Sequence, residues 1–192
     1  FYGFRQDQQV SVSSQQDLGN PNSFYFFTGN SGKGILRGFE AELYYKVSNL
    51  FSTTSSLGLL DTHVEKFPYQ TSSGILYGGD RESSMAPRLT ASLGFKYRKE
   101  KTYLSINTSY KSSYYFSDSH DSKSEAYSLS DFATGHYFKN LNLKFWVKNI
   151  FNEKFVTRGF YFGLIPPDYP EELWVSYGDP RHFGVTIEYS IN

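Results

Sequence analysis

Apolar and polar positions alternate along this chain with a period of two. From Ile35 to Val47 the odd positions are mostly apolar (Ile35, Phe39, Ala41, Leu43, Tyr45, Val47), and the even ones include Glu40, Glu42 and Lys46. Leu89–Tyr97 repeats the pattern, with Leu89, Ala91, Leu93, Phe95 and Tyr97 against Thr90, Ser92, Gly94 and Lys96. So do Leu141–Val147 and Phe183–Ile191, while in Thr102–Phe116 the even set carries it: Leu104, Ile106, Tyr110, Tyr114, Phe116. Successive side chains of a strand point to opposite faces, so each run reads as a strand with one apolar face. The stretch Ala126–Phe138 departs from this. Leu129 and Phe132 are out of phase, which predicts a bulge or an irregular register. Helical periodicity competes nowhere.

The gaps between strands alternate in length. Short ones fall at Ser48–Leu50, Lys99–Lys101 and Lys139–Asn140. Long ones fall near Gln15–Gly34, Glu65–Pro87, Ser117–Glu125 and Asn152–Arg181. Eight antiparallel, meandering strands are therefore predicted, at 1–14, 35–48, 51–64, 88–98, 102–116, 126–138, 141–151 and 182–191. Tight turns at one end and long loops at the other is the pattern of a transmembrane β-barrel. A soluble sandwich has no such requirement. On the regular strands most charges fall on the non-aromatic face, as a polar lumen and a lipid-facing exterior require. The clusters Tyr44-Tyr45, Tyr114-Tyr115-Phe116 and Tyr137-Phe138 stand at strand ends, where interfacial aromatic girdles form. A soluble barrel with an apolar interior is the alternative that alternation alone leaves open.

Composition narrows the choice. The 192 residues carry 19 Lys plus Arg and 19 Asp plus Glu, a balance without the basic excess of a nucleic-acid footprint. There is no Cys, so disulfides and thiolate metal sites are excluded. Aromatic residues reach 19% through 17 Tyr, 18 Phe and 2 Trp, far too many for a disordered chain. No stretch approaches the roughly 18 apolar residues of a membrane helix, so a membrane-spanning form must be a barrel. The opening Phe1-Tyr2-Gly3-Phe4-Arg5 already reads as strand and lacks an initiator Met, which predicts a chain whose beginning is missing.

Reactive chemistry is sparse. His63, His120, His136 and His182 lie on separate elements without metal-ligand spacing, and no metal site or cofactor is expected. Asp118-Ser119-His120-Asp121 reads as a solvated loop tip in preference to a cation site. A barrel hydrolase would pair His120 with a neighbouring Ser, but no G-x-S-x-G motif supports catalysis. The sequon at Asn107 lies mid-strand and is not expected to be a glycosylation site. The long loops offer the binding surface, with Tyr25, Tyr69, Tyr77, Tyr161 and Trp174 as candidate ligand-facing residues. These rings can stack on a flat solute or pack on one another to order the loops.

Three motifs near the C-terminus carry a family resemblance. VKNIFNEKF (147–155), with Asn149 and Asn152, resembles the V-x-N-L-F-[ND]-[EDK]-K-Y stretch of the penultimate strand of TonB-dependent outer-membrane receptors. TRGFYFG (157–163), with Arg158, Gly159 and Phe160, resembles a loop of one siderophore-receptor-like subgroup. YGDPRHFGV (177–185), with Gly178, Pro180, Arg181, Phe183 and Gly184, resembles that family's lead-in to its last strand. FTGNSGKG (27–34), APR (86–88) and YFSDSH (115–120) match the subgroup further upstream. Physically, Asn149 and Asn152 suit turns and caps, Gly178 with Pro180 punctuates, and Arg181 reaches water at the headgroup level.

The resemblance implies a Gram-negative outer-membrane location and a barrel of about 22 strands with a plugged lumen. This chain would be its C-terminal part, 1–192, without plug domain or TonB box. It implies import of a scarce solute such as an iron–siderophore complex, with this chain supplying wall and loops. Implied partners are outer-membrane lipid, a small metal chelate, and TonB through an N-terminal region absent here. The chain departs from the family in ending Tyr189-Ser190-Ile191-Asn192, where an aromatic residue is usual. A complete eight-stranded barrel of structural or adhesive type is the alternative.

Overall fold

The computed structural model describes residues 2–6, 10–16, 24–30, 32–71, 74–118, 120–170 and 172–191. Among them all regular structure is strand. In chain order the strands are β1 (Tyr2–Gln6), β2 (Val10–Gln16), β3 (Phe24–Asn30), β4 (Gly34–Lys46), β5 (Phe51–Val64), β6 (Phe67–Thr71), β7 (Gly74–Gly78), β8 (Leu89–Lys99), β9 (Thr102–Lys111), β10 (Tyr127–Phe138), β11 (Leu141–Lys148), β12 (Val156–Phe162), β13 (Glu172–Tyr177) and β14 (His182–Tyr189).

Eight of them form one antiparallel sheet in the order β1-β4-β5-β8-β9-β10-β11-β14. The remaining six make three hairpins, β2–β3, β6–β7 and β12–β13, each inside one long loop. The predicted first strand at 1–14 is thus two elements. Tyr2–Gln6 joins the wall, and Val10–Gln16 turns into a hairpin with Phe24–Asn30. Wall strand and loop strand share the same period, so alternation alone does not mark where the chain leaves the wall. The strand predicted at 102–116 stops at Lys111, where Ser112 N donates to Leu89 O (2.9 Å) and Ser112 Oγ accepts from Leu89 N (3.0 Å).

The predicted bulge in Ala126–Phe138 is absent. β10 pairs with β9 and β11 in unbroken register, with Phe132 opposite both Ile106 and Val147. Phe132 lies on the apolar face, and Leu129 simply faces the other way beside Asp131. The mismatch between Leu129 and Phe132 reflects one apolar residue, Leu129, on the polar face, with no insertion.

Tracing the register across the sheet sorts every wall residue to a face. One face carries Phe39, Leu43 and Tyr45 of β4, Leu57 and Leu59 of β5, and Leu93 and Phe95 of β8. It continues through Leu104 and Ile106 of β9, Phe132 of β10, Leu143 and Phe145 of β11, and Val185 and Ile187 of β14. From the Phe39–Leu59 pair down to the turns this face holds no Asp or Glu, and its first Lys is Lys99 at the turn. The opposite face holds Glu40, Glu42, Lys96, Arg98, Asp131, Lys144, Lys148 and Glu188.

The apolar face has nothing packed on it. Leu43 is 59% exposed and Ile187 66%, and among the described residues only Val64 and Tyr114 are buried hydrophobics. The chain exposes 13187 Å², against about 9,300 Å² for a folded globular monomer of its 22.1 kDa mass. A water-soluble single sheet of this kind would leave its driving force unused. The face is satisfied when hydrocarbon covers it, and the 11 residues of β8 and 10 of β9 match the tilted span a bilayer needs. No described helix is long and apolar enough to cross a membrane.

The sheet is open, with β1 and β14 at its two edges among the described residues. A closed eight-stranded barrel is therefore not what the chain forms. At the short-turn end, Ser48 Oγ accepts from the backbone N–H groups of Leu50 and Phe51, both at 3.1 Å. The next turn places Glu100 at φ 51°, a left-handed conformation that costs an L-residue about 1–2 kcal/mol. Tyr45, Phe51, Tyr97, Phe138 and Tyr189 gather at this end of the apolar face. Tyr114, predicted for a girdle, is instead 4% exposed beneath the loops. It belongs to the long-loop chain after β9, where its hydroxyl donates to Thr157 O (3.2 Å).

Candidate functional site

At the long-loop end, three devices hold the loops. The first ties both ends of the last long loop to the wall. Asn149 stands just past β11 at φ 50° and is 4% exposed. Asn tolerates this conformation better than most residues and brings an amide to it. Its Nδ2 donates to Glu153 O (2.9 Å) and Asp179 O (3.1 Å), and its Oδ1 accepts from Glu153 N (2.8 Å). Its own N–H donates to Asp131 Oδ1 (3.0 Å), whose other oxygen pairs with Lys148 (2.5 Å). Asn152, at φ 54°, accepts from Arg181 N (2.9 Å), and Arg181 donates from its side chain to Ile150 O (3.3 Å). The outgoing and returning chains are thus clamped through side-chain amides, because no strand pairing is available there.

The second device centres on Arg81, whose side chain is 13% exposed. It stacks over Tyr115 at 4.3 Å, pairs with Asp121, and donates to Ser117 O (3.2 Å) and His120 O (2.7 Å). Asp118 accepts from Ser84 N (2.7 Å). Ser122 hydrogen-bonds Tyr161, whose ring lies 4.1 Å from that of His120. The segment after β9 is therefore wedged between the β6–β7 and β12–β13 loops. Burial pushes the Tyr114 phenol upward from its ordinary pKa, so it stays a neutral donor.

The third device is a ladder of alternating charge. Arg37 donates to Asp61 (2.7 Å), Asp61 meets Arg88 (3.5 Å), Arg88 meets Glu82 (3.4 Å), and Glu82 meets Lys123 (3.7 Å). These five residues come from β4, β5 and two loops. With His63, Tyr115 and Thr62 they line a recess of about 490 Å³. The hydrogen bond from Arg37 holds the Asp61 carboxyl below the usual carboxylate range against the opposing effect of burial, and the charges of Arg37 and then Arg88 add to the lowering.

On the polar face of the wall a second recess, of about 410 Å³, is lined by Asn107, Asp131, Lys144, Trp146, Lys148 and His182. Trp146 donates to Thr186 (3.2 Å) and lies across Gly184, where a Cβ would stand 2.4 Å from the indole.

The motif residues divide by what they touch. Gly178 is needed for close approach, since a Cβ there would meet the Phe155 ring at 2.0 Å. Gly159 lies against Phe116 in the same way, at 2.4 Å. Phe160 packs with Phe162 at 5.3 Å, Arg158 is exposed opposite Ser176, and Pro180 O meets His182 Nδ1 (2.9 Å). Phe183 is 73% exposed on the apolar face. Of the loop aromatics, Tyr77 sits under Lys66 at 4.6 Å, Tyr161 is bound to Ser122, and Trp174 donates to Phe162 O (3.1 Å). The side chains of Tyr25 and Tyr69 lie outside the described residues. No group of three metal-ligating residues occurs among the described residues. Sequence reasoning missed Arg81 and the charge ladder. Asp80-Arg81-Glu82 and Asp118–Lys123 fall in two separate long gaps of the sequence, and nothing local signals that they meet.

Comparison with known proteins places this architecture. The fold matches the siderophore receptor PiuA of Acinetobacter baumannii with a TM-score of 0.68 at 14% identity, over 96% of this chain and 27% of that one. It matches the copper transporter OprC at 0.70 and 17% identity, over 98% and 29%. It matches the ferric yersiniabactin uptake receptor FyuA of Yersinia pestis at 0.70 and 13% identity, over 97% and 29%. The chain thus spans under a third of the length of these proteins. No curated protein sequence matches it. A family model described as TonB dependent receptor-like, beta-barrel covers residues 1–150, and with the open two-faced wall above, the chain belongs to that family.

Proposed function

We propose that this chain is the C-terminal part of the barrel of an outer-membrane receptor that imports a scarce small solute, such as an iron–siderophore complex or another metal chelate. Its family is one of transport receptors, not enzymes. The observation that carries the reading is the two-phase wall: one face without charge over the membrane span, the other lined by carboxylates, amines and hydroxyls. A lipid-facing exterior and a water-filled or plugged lumen need this division. The long loops would then be extracellular and the short turns periplasmic. Ligand capture falls to the loops, with Tyr25, Tyr69, Tyr77, Tyr161 and Trp174 as the aromatic contacts. The energised step, coupling to TonB, belongs to a region outside this chain.

A metal chelate as the solute is supported by the neighbours, which include a siderophore receptor, a copper transporter and a ferric yersiniabactin uptake receptor. Uptake by cells carrying the whole receptor tests the reading. A panel of radiolabelled ferric siderophores and copper complexes should yield at least one that accumulates only when TonB is intact. Equal accumulation of every solute with and without TonB would contradict it.

A further inference from the structure

The polar face of the wall sorts its charges by depth. One register row runs across the sheet from Lys46 through Lys96 to Trp146, and the next row, nearer the short turns, runs from Arg98 to Lys144. These two rows hold four cations and no carboxylate. The nearest carboxylates, one row to either side, are already engaged. Asp131 pairs with Lys148 and accepts from the Asn149 N–H, and Glu188 accepts from Asn142. Glu42 stands two rows nearer the loops. Among the described residues none of the four cations is in an ion pair.

We propose that Lys46, Lys96, Arg98 and Lys144 form a cation track on the lumen wall that passes anionic solutes toward the short-turn mouth. The proposal rests on the receptor reading above and narrows it to chelates that carry carboxylate or phosphate groups. Unpaired charges of one sign repel one another, and the wall gains from them only when negative charge lies between them. Arg98 and Lys144 share a row three strands apart, ~14 Å at the usual strand spacing. Ser105, Ala133 and Gly135 floor that gap, and the Tyr103 ring lies across Gly135. The gap opens into the recess of about 410 Å³, where the Trp146 indole, laid across Gly184, forms an aromatic side. Three of the four cations are Lys, with Lys46 and Lys96 exposed and Lys144 half-buried. An ammonium on a flexible stem is strongly hydrated and changes partners readily, whereas fixed protein interfaces favour Arg and are depleted in Lys. That composition fits a passing anion better than an acidic protein segment seated permanently on the wall.

The test needs no identified solute. Ser105→Cys is introduced as the lone Cys of the whole receptor in energised cells. Its modification is timed with two methanethiosulfonates, one bearing an anionic sulfonate and one a cationic trimethylammonium. Relative to the same ratio for a free thiol, the anionic reagent should be favoured by about tenfold. K46Q/K96Q/R98Q/K144Q should abolish that preference, and K144Q alone, the mildest change, should lower it by about twofold. The charge-preserving K46R/K96R/R98K/K144R should keep it, as should K99Q/K154Q, which removes cations off the track. Equal rates in the parent receptor, or a preference that survives loss of the four charges, would overturn the proposal. A thiol that neither reagent reaches would overturn it too, because a segment of the receptor then covers the track. A reagent preference without TonB-dependent uptake of any chelate would count against the functional reading alone.

Discussion

At the scale of single residues, the fold depends on side chains that do what strand pairing does elsewhere. Asn149 replaces three backbone partners across the base of the last long loop, in a buried site with positive φ. Asn149→Ala should destabilise the receptor by about 2–3 kcal/mol, since buried groups lose their partners. Asn149→Gly relaxes the φ requirement but restores no bond, so it should recover only part of the loss. Chemical unfolding in detergent measures both. Asp61 gives a pH dependence of definite sign. Its folded pKa is depressed below the ordinary 3.8, so its contribution is present above that value and is lost as pH falls through the folded pKa. The unfolding midpoint of the wild type should drop between about pH 5 and pH 3 more than that of Asp61→Asn, with little change from pH 6 to 8. The position of Asn149 at the end of a strand was legible in its sequence, because Asn-rich strand exits signal turns. The Asp61 partners were not, since Arg37 and Arg88 come from other segments.

At the scale of elements, turns and loops behave differently. The two-residue turn after β8 puts Glu100 into a conformation that glycine adopts freely. Glu100→Gly should therefore raise stability by a few tenths to about 1 kcal/mol, read from the same unfolding curves. A loss of stability would show that Glu100 has a partner at the turn worth more than its strain. The short turns were readable in the sequence because only two or three residues interrupt the alternation at each of them. The hairpins β2–β3, β6–β7 and β12–β13 were not. Their strands are short and carry no charge pattern that separates them from loop, and the aromatic content that could have marked them also suits a binding surface. The false bulge in β10 has a similar origin: Leu129 is an apolar residue on a polar face, and alternation has no way to represent that.

At the scale of the whole molecule, the claim is that one face of the wall meets hydrocarbon and the other does not. Meander order follows from the alternation of gap lengths, and the assignment of faces follows from phase, so most of the wall is legible in the sequence. The rim ladder and the Arg81 clamp were invisible because each gathers residues from three or more separated segments. Charge placed on the two faces should have unequal effects. Leu93→Arg, near the middle of the apolar span, should cost about 2–4 kcal/mol or abolish insertion, whereas Asn107→Arg on the inner face should cost far less. Comparable losses would place both residues in the same environment.

The most direct measurement is a spin-label scan of the Cys-free chain within the whole receptor in lipid, one label at a time from Leu89 to Tyr97. Collisional access of oxygen, which concentrates in hydrocarbon, is compared with access of a water-soluble nickel chelate. Oxygen maxima are expected at Leu89, Ala91, Leu93, Phe95 and Tyr97, with minima at Thr90, Ser92, Gly94 and Lys96. A flat profile, or maxima on the even positions, would contradict it.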